Sequence, residues 1–303
     1  MKATETRRGE NMTTAIACAS GSFRVSFVNG VLSVLEGASF RADAYAASSA
    51  SVIPAGYAAL GRIADLKGAD YWKHFITFLE EHNFDASQGV LKGIEVFGPL
   101  LRDNLFKEDV PRFLISTSAV VTDEAAQQTQ GEKARRLGQR LLLASRNNDR
   151  SWADQHLASH MFGTINSEVV LPLTPDNLGD VIYASTRVLQ SWKIAATIEE
   201  KPYIDASYTC SCPAIELAEL GFNNVIAIIP EPGTVYRDIF QSEVIPGSWN
   251  DSVIHFVQPD ISLGDIKVDY MSATPTGLEA AFQLGEEKGD KFISWFMARD
   301  MGS

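Results

Sequence analysis

Hydrophobic positions in the first part of the chain switch between two periods. "TAIACASGSF" (14–23) is a continuous apolar run ending in Ser-Gly-Ser, the pattern of a buried strand followed by a tight turn. "FRVSFVNGVLSVLEG" (23–37) spaces Val28, Val31, Leu32 and Leu35 by three or four residues, which predicts a helix with Gly37 as its C-cap. "SFRADAYAA" (39–47) reads as a short strand. "SASVIPAGYAALGRIADL" (49–66) reads as a second helix, with Pro54 about a turn in, where its missing donor has no partner to lose. Strand–helix–strand–helix predicts a parallel sheet with right-handed crossovers.

Further along, "ADYWKHFITFLEEHNF" (69–84) puts Tyr71, Trp72, Phe75, Phe78 and Leu79 on one face of an amphipathic helix. That face packs on the core or covers a site as a lid. "RFLISTSAVV" (112–121) is a strand. Residues 123–160 are polar and locally basic, with a helix at "EKARRLGQRLLLA"; the charges form a solvated face or an anion-contacting surface. "DNLGDVIYASTRVL" (176–189) is a capped helix, "NNVIAIIP" (223–230) and "DSVIHFVQP" (251–259) are strands, and a helix closes the chain. No repeat or linker interrupts this order. One α/β domain over 13–303 is expected after a flexible tail at 1–12, with Met12 a second candidate start.

Composition narrows the function. With 303 residues, 45% hydrophobic and 21% charged, the chain has the make-up of a soluble globular protein. A net charge of −12 argues against wholesale binding to nucleic acid or anionic bilayers and leaves at most peripheral membrane contact. No run approaches the ~20 apolar residues of a membrane span. The polar start lacks the apolar stretch of a secretion signal, so a cytoplasmic location is expected. Cys18, Cys210 and Cys212 are odd in number, and no metal-binding spacing appears among them. His156 and His160 in "HLASH" would share a helix face, but no Glu stands between them in metalloprotease order; an exposed or hydrogen-bonded pair is preferred to a metal site.

"YAASSASVI" (45–53) carries the candidate chemistry. A serine nucleophile needs a sharp strand-to-helix turn with small neighbours, a base within reach, and backbone N–H groups aimed at the developing oxyanion. Ser49 stands at such a corner, flanked by Ala47 and Ser51, at a helix N-terminus that adds partial positive charge. Small residues at such a junction are commonplace, and packing serines explain the stretch equally well on its own.

The chain resembles the patatin-like phospholipase family at three places. "SGSFRVSFVNGVLSVL" (20–35) is similar to the family's Gly-rich turn and helix, with Arg24 on its basic position. "ASSAS" (47–51) falls on its nucleophile elbow, and "YIDASYTCSCPAIELAELGFNNVIAI" (203–228) on its Asp motif and the helix and strand that follow. "VIYASTRVL" (181–189) resembles the segment before that Asp. The likeness covers roughly 14–62 and 176–230. Family glycines are replaced at Ser20, Ser22, Val25, Ala47, Ser51 and Ala206, which implies a tighter or re-angled elbow and weaker or altered catalysis. The resemblance implies a three-layer α/β/α patatin-like fold with a mostly parallel sheet. It also implies a Ser49–Asp205 dyad and an oxyanion hole from the N–H groups of Gly21 and Ser22, with Arg24 bonding carbonyls of that turn. No metal or organic cofactor is implied. The expected activity is hydrolysis of an acyl ester or lipid. The alternatives are an acyltransferase, for which the basic 133–150 segment would dock an acidic acyl carrier, and an inactive binding protein.

Overall fold

The computed structural model describes residues 13–300; the expected tail at 1–12, Met12 included, lies outside them. The strands are β1 (Thr14–Cys18), β2 (Ala44–Ser48), β3 (Arg112–Val120), β4 (Leu157–Gly163), β5 (Leu171–Pro172), β6 (Ala196–Ile198), β7 (Lys201–Ile204), β8 (Asn224–Ile228), β9 (Ser248–Trp249) and β10 (Ser252–Val257). They form one sheet in the order β5-β4-β3-β2-β1-β8-β10-β9, with β7 paired to both β3 and β6. From β3 to β10 the neighbours are parallel; β4, β7 and β9 add antiparallel pairings at its margins.

The helices are α1 (Val25–Gly37), α2 (Val52–Ala59), α3 (Asp70–His82), α4 (Ala86–Asn104), α5 (Asp123–Gln128), α6 (Gly131–Arg146), α7 (Ser151–His156), α8 (Leu178–Thr186), α9 (Ala214–Glu219) and α10 (Pro275–Asp300). The molecule is thus mixed α/β, a mostly parallel central sheet flanked by helices. Alternate strand residues face opposite layers, as the pleat requires. Ile16, Tyr45, Phe113 and Ile226 pack with α1, α2, α8 and α10, whereas Ala15, Ala44, Leu114 and Val225 pack with α9. No helix among the described residues is long and apolar enough to cross a membrane.

α10 lies on α1 at very close range. A Cβ built at Gly30 would stand 2.1 Å from the Phe282 carbonyl oxygen, and one at Gly285 would stand 2.1 Å from that of Phe27. Glycine lets the two backbones touch. Ser26 Oγ adds a hydrogen bond to the Leu278 carbonyl at 2.8 Å. The C-terminal helix is therefore fastened to the helix that follows the Gly21 turn.

Several local expectations need correction. Gly37 is the last residue of α1, with Ala38 as its cap, and the left-handed turn falls on Ser39 at φ 59°. The chain turns later because Phe40 N–H reaches back to the Leu35 carbonyl. The strand expected over 39–47 is ordered only as Ala44–Ser48. His156 ends α7 and His160 lies in β4, so they share no helix face. His156 Nδ1 bonds Thr122 Oγ1 at 2.7 Å and His160 Nδ1 the Tyr203 hydroxyl at 3.1 Å. On α3, Tyr71, Trp72, Phe75 and Leu79 wall a cavity, while Phe78 turns aside onto His82 and Phe84.

Candidate active site

Register explains how two residues 156 positions apart meet. β2 runs parallel to β3 and its last pair is Ser48 with Ser116. β7 runs antiparallel to β3 and pairs Ile204 with Ser118. β4 occupies the other edge of β3 over these residues, so β2 and β7 approach one another along a single edge. One further residue of each strand brings Ser49 and Asp205 together beside Thr117. Ser49 Oγ donates to Asp205 Oδ2 at 2.7 Å.

Ser49 adopts φ 55°, left-handed backbone that is uncommon outside glycine. Such a conformation costs on the order of 1–3 kcal/mol and persists only where its surroundings impose it. Here Ser49 N–H donates to Ser185 Oγ at 2.9 Å, while β2 ends on one side and a short 3₁₀ turn (Ser49–Ser51) leads into α2 on the other. The neighbouring hydroxyls are engaged. Ser48 Oγ donates to the Cys210 carbonyl at 2.9 Å, and Ser51 Oγ to the Ala19 carbonyl at 2.5 Å. Of the three serines, Ser49 alone aims its hydroxyl at a base.

Asp205 is 1% exposed. Burial pushes its carboxyl above the usual carboxylate range, partly offset by hydrogen bonds from Ser207 and Ser49. Oδ1 accepts Ser207 N–H at 2.9 Å. Its backbone is tied as well: the N–H donates to the Arg187 carbonyl at 2.9 Å, and the carbonyl accepts from Ser118 Oγ at 2.8 Å. Ala206, the next residue, is fully buried and starts a 3₁₀ turn. The carboxylate is thus fixed in place, its affinity for a proton raised by burial.

The turn after β1 faces this pair. Ser20 N–H donates to the Ser211 carbonyl and Arg24 N–H to the Gly21 carbonyl, while the N–H groups of Gly21 and Ser22 have no hydrogen bond among the described residues. Gly21, Ser22, Ser49 and Asp205 line one cavity. A Cβ at Gly21 would lie 2.6 Å from Pro230 Cγ, so a side chain there would push the turn off the strand ends. Of the six positions where the family pattern has glycine, only Ser22 takes left-handed backbone, at φ 50°. Val25 opens α1 in ordinary helical conformation and is fully buried, and Ala47 is a regular strand residue. The other replacements therefore need no special backbone.

Arg24 does not bond carbonyls of its own turn. Its Nε donates to the Val268 carbonyl at 3.2 Å, its terminal nitrogens to Glu231 at 2.7 Å and Asp269 at 3.3 Å, and its guanidinium lies 4.3 Å from the Tyr270 ring centre. It fastens the turn to a C-terminal loop. Sequence reasoning did not single out Ser118, Ser185, Glu231 or Asp269. Ser185 alone carried a signal, inside the "VIYASTRVL" stretch.

Among the described residues no cluster of three or more His, Cys, Asp or Glu side chains is placed to hold a metal ion. Burial holds the thiols of Cys18, Cys210 and Cys212 far above their ordinary value, which leaves them protonated and inert. No protein-family model and no curated protein matches the chain.

Proposed function

We propose that the protein is a serine acyl hydrolase of the patatin-like type, acting through Ser49 and Asp205. The observation that carries this reading is a serine in strained left-handed backbone whose hydroxyl donates to a buried carboxylate 2.7 Å away. A packing serine needs neither feature. Asp205 takes the proton as Ser49 Oγ attacks the ester carbonyl, and the N–H groups of Gly21 and Ser22 stabilise the oxyanion. The leaving alcohol receives the proton from Asp205. Water, deprotonated by the same carboxylate, then releases the acid from the acyl-enzyme. The site lies at the C-terminal ends of β1 and β2, where parallel sheets generally place their chemistry.

A fluorophosphonate probe tests this directly. Ser49 should be labelled in the folded protein and the Ser49→Ala variant should be unlabelled and inactive on short p-nitrophenyl esters. Retained turnover in Ser49→Ala would refute the assignment, and a folded wild-type protein that neither labels nor turns over would point to the inactive alternative.

A further inference from the structure

Two cavities of unequal polarity meet at Ser49, the smaller almost wholly apolar and the larger bearing more polar groups. Both are lined by Ser22, Ser49, Val188, Tyr270 and Met271. The smaller, about 180 Å³, continues between α3, α4 and α8 past Ile53, Trp72, Phe75, Val90, Gly93 and Trp192, and no charged side chain lines it. Its polar wall atoms are few. Thr186 Oγ1 already donates to the Tyr183 carbonyl, and the indole N–H groups of Trp72 and Trp192 have no partner among the described residues. The larger cavity, about 520 Å³, adds to a largely apolar wall the hydroxyls of Ser207 and Thr234 and the mutually bonded hydroxyls of Ser20 and Ser211. Four carboxylates (Asp205, Glu231, Asp238 and Asp269) line it against one cation, Arg146. Arg24 already pairs with Glu231 and Asp269, and Arg150 with Asp238. A phosphate in this cavity would face carboxylates without an arginine cluster to receive it.

We infer that the substrate is an ester of one linear acyl chain with a neutral, hydroxyl-bearing alcohol, the chain in the smaller, apolar cavity and the alcohol in the larger, more polar one. This rests on the serine hydrolase reading of the same site. The reaction breaks the bond between acyl carbon and alcohol oxygen and returns the proton of Ser49 to that oxygen. Water then supplies the second oxygen of the released acid. Gly93 sits where chain length would be read: a Cβ there meets only Phe75 Cε2, at 4.0 Å, so added bulk fills the cavity.

The test measures binding and turnover separately. Calorimetric titration of straight-chain fatty acids into wild type should show affinity rising by about fourfold per methylene until the cavity is full. Gly93→Leu, and Val90→Phe from the same helix, should move that plateau to shorter chains. An unchanged plateau in both folded variants would overturn the placement of the chain. Ser49→Ala, which cannot turn over under this reading, should bind 1-octanoylglycerol at least ~10-fold more tightly than its 3-phosphate. Equal or tighter binding of the phosphate would overturn the choice of alcohol. Neither result depends on turnover, so a failed dyad shows separately, as activity that survives Ser49→Ala.

Discussion

Asp205 divides its carboxylate between two tasks. Oδ1 holds the 205–208 turn through Ser207 N–H and Oδ2 receives the Ser49 hydroxyl. Asparagine can keep the first bond but offers no base for the second. Asp205→Asn should therefore stay folded and lose about 10²–10⁴-fold in kcat on a p-nitrophenyl ester; turnover like wild type would remove the dyad. The sign of the pH dependence also follows. Burial raises the Asp205 pKa in the folded state, so the base is lost on acidification at a pH above that of an ordinary aspartate. The acid limb of kcat/KM should fall there and should vanish from any residual activity of Asp205→Asn. For stability, a raised carboxyl pKa means that the folded state keeps a proton the unfolded chain has lost. The wild type accordingly loses stability as pH climbs from the unfolded aspartate value through the folded one. Asp205→Asn lacks this term, so its stability relative to wild type should grow over that window, as measured by urea unfolding at several pH values. Ser49 was legible at a strand-to-helix corner, whereas Asp205 was reached only through the resemblance carried by residues 203–228. Ser118 was not legible, because a serine that bonds backbone leaves no pattern in the sequence, and Ser185 showed only as part of the 181–189 stretch without a role of its own.

Helix α1 follows the Gly21–Ser22 turn, the oxyanion turn of the proposed mechanism, and has α10 packed tightly against it. The crossing at Gly30 and Gly285 has no room for a methyl group, since the contact is with backbone carbonyls that cannot swing aside. Gly30→Ala or Gly285→Ala should part the helices and destabilise by about 1–3 kcal/mol, the usual cost of overpacking. A lower urea midpoint with an unchanged slope would show this, and an unchanged midpoint would mean the helices are free to part. At this scale the sequence was readable where apolar periodicity was long. The 3.6-residue period of α1 and the β-branched run of β8 each predicted their element. α4 was missed although Asp85 and Gln88 form a reciprocal capping box at its start, because Gly and Pro interrupt its apolar pattern and Pro99 lies inside it. β4 was absorbed into a polar region, since a serine and a histidine interrupt its run and only its last three residues are uniformly buried. β7 is four residues long and contains a proline, too short to declare a period.

No local pattern could place the whole site, because it is assembled from pairings that span the chain. β1 lies against β8, β2 and β7 meet along one edge of β3, and the turn before α1 is held by residues beyond position 230. Residues beyond 230, which carried no motif, are thereby tied through Arg24 to the turn that lines the Ser49 cavity. This side chain is 11% exposed and bonds one carbonyl and two carboxylates while covering the Tyr270 ring. Asp269 is largely exposed, so that ion pair adds little stability. Glu231 is more enclosed, and burial raises its pKa against the pull of Arg24. The value of the arrangement lies in its planar fork, which holds the turn and the loop at one spacing. A lysine keeps the charge but cannot reproduce the fork. Small displacements of positioning groups are costly in catalysis, up to about 10²-fold for 1 Å. Arg24→Lys should therefore lower kcat by roughly 10-fold or more through the displaced N–H groups of Gly21 and Ser22, while Ser49 still labels with a fluorophosphonate and Asp205 keeps its pH limb. Arg24→Met should lose more of both activity and stability, because the half-buried Glu231 would lose its cation and the Val268 carbonyl its donor. If Arg24→Lys unfolds more easily yet turns over substrate at the wild-type rate, Arg24 is a fastening of the fold alone. If kcat falls while the acid limb and labelling persist, the C-terminal loop sets the oxyanion geometry of a nucleophile more than 200 residues before it.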